Sequence, residues 1–197
     1  MTSNISIISW DIIIRENKYI NTKKVSKTDE HSFCTLVDTP LTQSQNVTLG
    51  ICMEKLFNDV VEKNTNMKDI SESASKKGER QKDHIWLDEA NRSVIYAEQK
   101  NNINLDTEKS VSTETKVAEI AKKYPDYTIS AYIFAARYLS ASEPLAKRII
   151  QTKYKNTKVI GVNEYLALFN LPPFENYDVY KQVIQNVVET KFDSCNE

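Results

Sequence analysis

The sequence predicts an α/β fold, a central mixed β-sheet flanked by helices. Three observations predict it. Segments with a three-to-four residue apolar repeat alternate with short β-prone runs along the chain. Two of those runs, His84–Leu87 and Val94–Ala97, stand close enough together to form a hairpin. With 197 residues, 40% of them hydrophobic and 27% charged, the chain is long and apolar enough for one ordinary domain, 1–197, with a real core.

The elements follow in order. Ile5–Ile14 is isoleucine-rich, and periodicity leaves a strand and a short buried helix both open. Asn17–His31 is polar and reads as loop. In Thr48–Asn64, Leu49, Cys52, Met53, Leu56, Phe57, Val60 and Val61 form one apolar stripe, so a helix is expected there with Glu54 beside the stripe. Ser71–Lys82 has almost no apolar residue and carries Lys76, Lys77, Arg80 and Lys82. It reads as a surface loop, with a basic arm toward a phosphate backbone as the alternative.

The hairpin comes next, closed by the polar residues Asp88–Ser93. A helix is expected from Glu114, capped by Ser112 or Thr113 and stopped by Pro125, with Val117, Ile120, Ala121 and Tyr124 facing inward. Thr128–Ala136 reads as a buried strand. Pro144 opens a helix, Leu145–Tyr154, beside the basic residues Lys147, Arg148, Lys153 and Lys155. Lys158–Val162 is a short strand, Glu164–Phe169 a helix, Pro172-Pro173 a break, and Tyr177–Phe192 a closing amphipathic helix.

Composition narrows the function. The net charge of -1 shows no global bias toward polyanions, so any phosphate-binding surface must come from how charges are distributed. Cys34, Cys52 and Cys195 are odd in number and widely spaced, which predicts reduced thiols. With His31 and His84 the only histidines, a zinc site is disfavoured. Glycine-rich phosphate loops and serine-histidine triads lack their residues. No apolar run reaches membrane-spanning length, and the start lacks a signal-peptide pattern, so a cytoplasmic protein is expected.

The hairpin carries the chemistry. If Asp83 lies opposite Glu98, Ile85 pairs with Tyr96 and Leu87 with Val94. Side chains alternate along a strand, so Asp83, Glu98 and Lys100 then meet on one face at the hairpin's open end. Asp88 points the other way but is also upstream of Glu98, so it stays open as the first carboxylate. Two carboxylates and a lysine suit metal-assisted phosphodiester hydrolysis. Glu54 completes the set if its helix packs near that end. The alternative is an edge hairpin with a plain salt bridge.

The run from Asp83 through two hydrophobic strands to Glu98-Gln99-Lys100 resembles the PD-(D/E)xK nuclease signature, although Lys82 stands where the name has proline. The polar continuation Asn101–Lys109 is similar to that of type II restriction endonucleases, and the likeness spans roughly residues 83–116. The resemblance implies a restriction-endonuclease-like fold with a catalytic core of about 48–170. It implies Asp83 and Glu98 as metal ligands for magnesium, with manganese as a substitute, and Lys100 assisting the attacking water. It further implies double-stranded DNA as substrate, a homodimer, and a cognate DNA methyltransferase in the same system. Asn104, Asp106, Lys109 and Lys116 are candidate DNA contacts. A repair or junction-resolving nuclease and a non-catalytic DNA-binding protein are the other readings.

Overall fold

The structure is a computed structural model and describes residues 8–16, 36–37, 41–71, 83–100, 107–142 and 157–192. The chain divides into two compact units, 1–64 with 166–197, and 65–165. The expected single domain 1–197 thus contains both, and the expected core of about 48–170 runs across their junctions.

The first unit is helical among its described residues. Trp10–Glu16 forms α1, which decides the open question for the isoleucine-rich start in favour of helix over its described part. Gln43–Asn64 forms α2, five residues longer at its start than the apolar stripe predicts. The reason is a capping box: Thr42 Oγ1 accepts the Gln45 N–H at 3.3 Å, and Gln45 Oε1 accepts the Thr42 N–H at 2.8 Å. The final helix, Tyr177–Phe192, has the predicted bounds, and Asn176 Oδ1 caps it by accepting the N–H groups of Asp178 and Val179. Leu49, Met53, Leu56, Phe57 and Val60 of α2 and Tyr180, Ile184, Val187 and Val188 of the final helix are fully buried. Trp10 stacks on Phe174 at 4.9 Å between ring centres and meets Phe57 edge-on at 6.1 Å.

The second unit is built on a five-stranded sheet of order β1-β2-β3-β4-β5. Its strands are β1 (Lys68–Asp69), β2 (His84–Asp88), β3 (Ser93–Gln99), β4 (Thr128–Phe134) and β5 (Lys158–Ile160). Pairings β1–β2 and β2–β3 are antiparallel, β3–β4 and β4–β5 parallel, so the sheet is mixed. The hairpin register is the expected one, with Ile85 opposite Tyr96 and Leu87 opposite Val94. Asp88 is spent on the turn: its carboxylate accepts the Asn91 N–H at 3.0 Å and the Asn91 side-chain amide at 2.7 Å.

Helix α3 (Thr107–Lys123) covers one sheet face. Its Ile120 joins Ile85, Leu87, Val94, Tyr96 and Ala131 in one cluster, with Val117 and Tyr124 against it. The helix begins well before the expected Glu114. Ser112 and Thr113 are therefore interior positions and not caps, and Ala121, expected inside, is exposed. On the other face Tyr165, from α4 (Val162–Ala167), stacks on Phe134 at 4.2 Å and 9° and accepts the Trp86 indole N–H at 3.3 Å. Strand β5 and α4 both begin or end about two residues before their expected bounds. Asn170, at φ 55°, closes the turn after α4, where the Leu171 N–H reaches the Leu166 carbonyl at 3.0 Å. The expected helix Leu145–Tyr154, the basic residues Lys147, Arg148, Lys153 and Lys155, and residues 72–82 lie outside the described residues.

Gly161 sits where the 138–140 backbone crosses the end of β5. The Val162 and Asn163 N–H groups reach the Tyr138 and Leu139 carbonyls at 2.8 and 2.9 Å. Glu164 fastens the crossing by accepting the Ser140 hydroxyl and the Gly161 N–H at 2.5 and 2.9 Å. A Cβ on residue 161 would stand 2.7 Å from Ser140 backbone atoms, too close for any side chain. Gly161→Ala is therefore expected to destabilise the protein by roughly 1–3 kcal/mol, read as a lowered urea midpoint. An unchanged midpoint would mean the two backbone segments separate freely.

Candidate functional site

The period-two alternation of β3 places Val94, Tyr96 and Glu98 on the face that α3 covers. Val94 and Tyr96 are apolar contacts within the cluster, but Glu98 continues the row as a buried carboxylate. Burying a carboxylate demands partners. Lys100 donates to Oε1 at 2.6 Å, and Lys116 donates to Oε1 at 2.9 Å and to Oε2 at 2.7 Å. The Tyr96 hydroxyl, two residues back on the same face, donates to Oε2.

Asp83 stands just before β2, where the hairpin opens, and its Oδ2 accepts the Gln99 N–H at 2.8 Å. That bond carries the aspartate across to the end of β3, beside Glu98. Burial first, and then the neighbouring Glu98 charge, raise the Asp83 carboxyl from its usual 3.8 to about 6 against the pull of Lys100 and Lys116. For Glu98 burial also opposes ionisation, but the Lys100 and Lys116 ammoniums together outweigh it and hold its carboxyl below the usual range. The result is one carboxylate held firmly ionised and a second that takes up a proton more readily than usual, at about pH 6.

The structure thus brings Asp83, Glu98 and Lys100 together at one end of the hairpin. Asp88 is at the far end of β2, half-buried beside the turn. Glu54 lies half-buried on α2, in the other unit. Lys116, a candidate DNA contact from sequence, is buried against Glu98 on the inner side of α3. Lys109 belongs to α3 without a described side chain, and Asn104 and Asp106 lie outside the described residues.

Two members of the site were not assigned to it from sequence, and both left a signal there. Thr113, Lys116 and Ile120 recur at helical spacing and are all buried, so Lys116 interrupts an inward-facing stripe. A lysine in such a stripe needs a buried acid as partner. Tyr96 shares its strand face with Glu98 by alternation alone.

His84 faces the opposite side, as its place beside Asp83 dictates. It is fully buried between Phe134 and Tyr165, with Nε2 3.2 Å from Gln99 Oε1. Burial lowers its imidazole from 6.5 to about 4, so it is neutral at pH 7.

The donor chemistry fits one kind of metal. Among the described residues no cluster of three or more histidine, cysteine or acidic side chains is poised to enclose an ion. Two adjacent carboxylates are a sparse, hard-oxygen set. Magnesium commonly takes one or two carboxylates and completes its shell with water and substrate phosphate. Asp83 and Glu98 match that requirement and not the enclosed nitrogen and sulfur set of structural zinc. Among the described residues no helix is long and apolar enough to cross a membrane. Set against protein-family models, curated proteins and solved structures, the chain matches none.

Proposed function

We propose that the chain is a divalent-metal-dependent nuclease of the PD-(D/E)xK class, acting as a type II restriction endonuclease on double-stranded DNA. The observation that carries this reading is the convergence of Asp83, Glu98 and Lys100 at the open end of one hairpin, on a mixed sheet backed by α3.

Asp83 and Glu98 would hold magnesium or manganese. Such an ion, when bound, supplies charge to a phosphoryl oxygen and lowers the pKa of a coordinated water. Lys100 is the more exposed of the two lysines on Glu98, with a quarter of its side chain accessible. It is the group able to turn toward a substrate, to orient the attacking water or to meet the charge that grows on the phosphate. In the ion-free protein Tyr96 and Lys116 hold Glu98 beneath it. A symmetric homodimer would set two such centres on the two strands of a palindromic site. A cognate methyltransferase would protect host DNA.

The test is a digest of unmethylated phage DNA with magnesium or with EDTA, beside Glu98→Ala. Discrete bands that require both the metal and Glu98 are expected. A metal-dependent smear would favour a structure-selective nuclease of repair or junction resolution. Intact DNA together with no manganese binding would favour a non-catalytic DNA-binding protein. One observation supports that last reading: Lys100, Lys116 and Tyr96 together engage both Glu98 oxygens, as in a structural ion-pair network.

A further inference from the structure

The ion pairs around Glu98 bear on how the proposed site would load its metal, an inference that rests on the nuclease reading. A carboxylate offers roughly four acceptor positions. On Glu98, Oε1 accepts from Lys100 and Lys116, and Oε2 accepts from Lys116 and Tyr96. All are taken, so direct coordination of a cation requires a donor to leave. Lys100 touches one oxygen only, whereas Lys116 bridges both at 2.9 and 2.7 Å from a buried position between Thr113 and Ile120 on the inner face of α3. Release of Lys116 would therefore open both oxygens at once.

Charge points the same way. Asp83 and Glu98 are balanced by Lys100 and Lys116. A divalent ion added to this buried set leaves it with surplus positive charge, which a low-dielectric surrounding penalises heavily. A phosphodiester backbone brings the compensating negative charge and offers Lys116 a new acceptor.

We propose that Lys116 is an internal counter-ion that occupies Glu98 in the free protein and makes uptake of the divalent cation depend on arrival of a phosphate backbone. Lys116 is on this account a positioning residue: it acts through Glu98. Cation and DNA then bind with positive coupling, each raising the affinity for the other.

The test is titration of the full chain with Mn2+ in the absence of DNA, following free Mn2+ by its paramagnetic resonance signal. Lys116→Met is expected to bind Mn2+ about tenfold or more tightly than the unaltered protein, because a positive charge a few ångströms away has gone. Lys116→Arg, which keeps the charge, is expected to remain as weak as the unaltered protein. Adding Glu98→Gln to Lys116→Met should remove the gain. Circular dichroism checks folding, and Lys116→Gln carries the same comparison if the methionine variant does not fold. Equal or weaker Mn2+ binding by the folded uncharged variant overturns the inference. That failure is separable from failure of the nuclease reading: unaltered protein that cuts DNA with magnesium while Lys116→Met shows no gain overturns the role of Lys116 alone.

Discussion

On the proposed nuclease function, Lys100→Ala is expected to slow DNA cleavage by about 10²–10³-fold, the loss that follows removal of one well-placed donor from a reacting charge. DNA binding in EDTA should change little, because the residue would supply only one of the charges facing a bound backbone. Folding should survive, since Glu98 keeps Lys116 and Tyr96 as partners when Lys100 is gone. The comparison is single-turnover cleavage against a gel-shift titration. Cleavage at the unaltered rate would remove Lys100 from the mechanism. Parallel loss of binding and cleavage would make it a DNA contact instead.

His84 provides the second large effect, and it concerns stability. Its imidazole titrates near 4 when folded against 6.5 in its ordinary state, because the aromatic box of Phe134 and Tyr165 excludes water from it. Between those values the unfolded chain binds the proton that the folded chain refuses. The contribution of His84 to stability is therefore complete above pH 6.5 and is lost as pH falls toward 4, a change of roughly 3 kcal/mol. Asp83 runs in the opposite direction. With its carboxyl raised from 3.8 to about 6, its stability contribution is present below 3.8 and lost as pH rises through 6. In the unaltered protein the two trends oppose each other in nearly the same window. Their separation needs variants. His84→Gln, relative to the unaltered protein, is expected to gain roughly 3 kcal/mol between pH 7 and pH 4 in urea unfolding. Asp83→Asn should make the loss on acidification steeper. A stability difference between His84→Gln and the unaltered protein that does not vary with pH would show that the imidazole titrates normally when folded.

The hairpin was legible from sequence because a strand's alternation has no slack. Once Ile85, Leu87, Val94 and Tyr96 must share a face, the short polar connection, a four-residue turn between the Asp88–Ser93 pair, leaves one register, and Asp83 and Glu98 are brought to the same end. The closing helix was legible for a similar reason, since Tyr180, Val183, Ile184, Val187 and Val188 define a stripe along most of its length. Helix starts were not. The first turns of α2 and α3, Gln43–Thr48 and Thr107–Ser112, are largely polar, and an apolar repeat says nothing about polar turns. The capping pair Thr42 and Gln45 held that information for α2. Strand β1 has two exposed residues, too few for any pattern to register. The pairing of Lys116 with Glu98 was not legible, because lysines on helices are usually solvated, a rule that gives way when a carboxylate is buried opposite.

The two tryptophans of the chain fall one to each compact unit, Trp10 in the helical unit and Trp86 in the sheet unit. Trp86 is fully buried beside Tyr165, whereas Trp10 is partly exposed. Their emission should differ in wavelength, with Trp86 at the blue end. Fluorescence from single-tryptophan variants, Trp10→Phe and Trp86→Phe, therefore follows each unit by itself through denaturation. Coincident curves would describe one cooperative transition, and displaced curves would give each unit its own melting free energy.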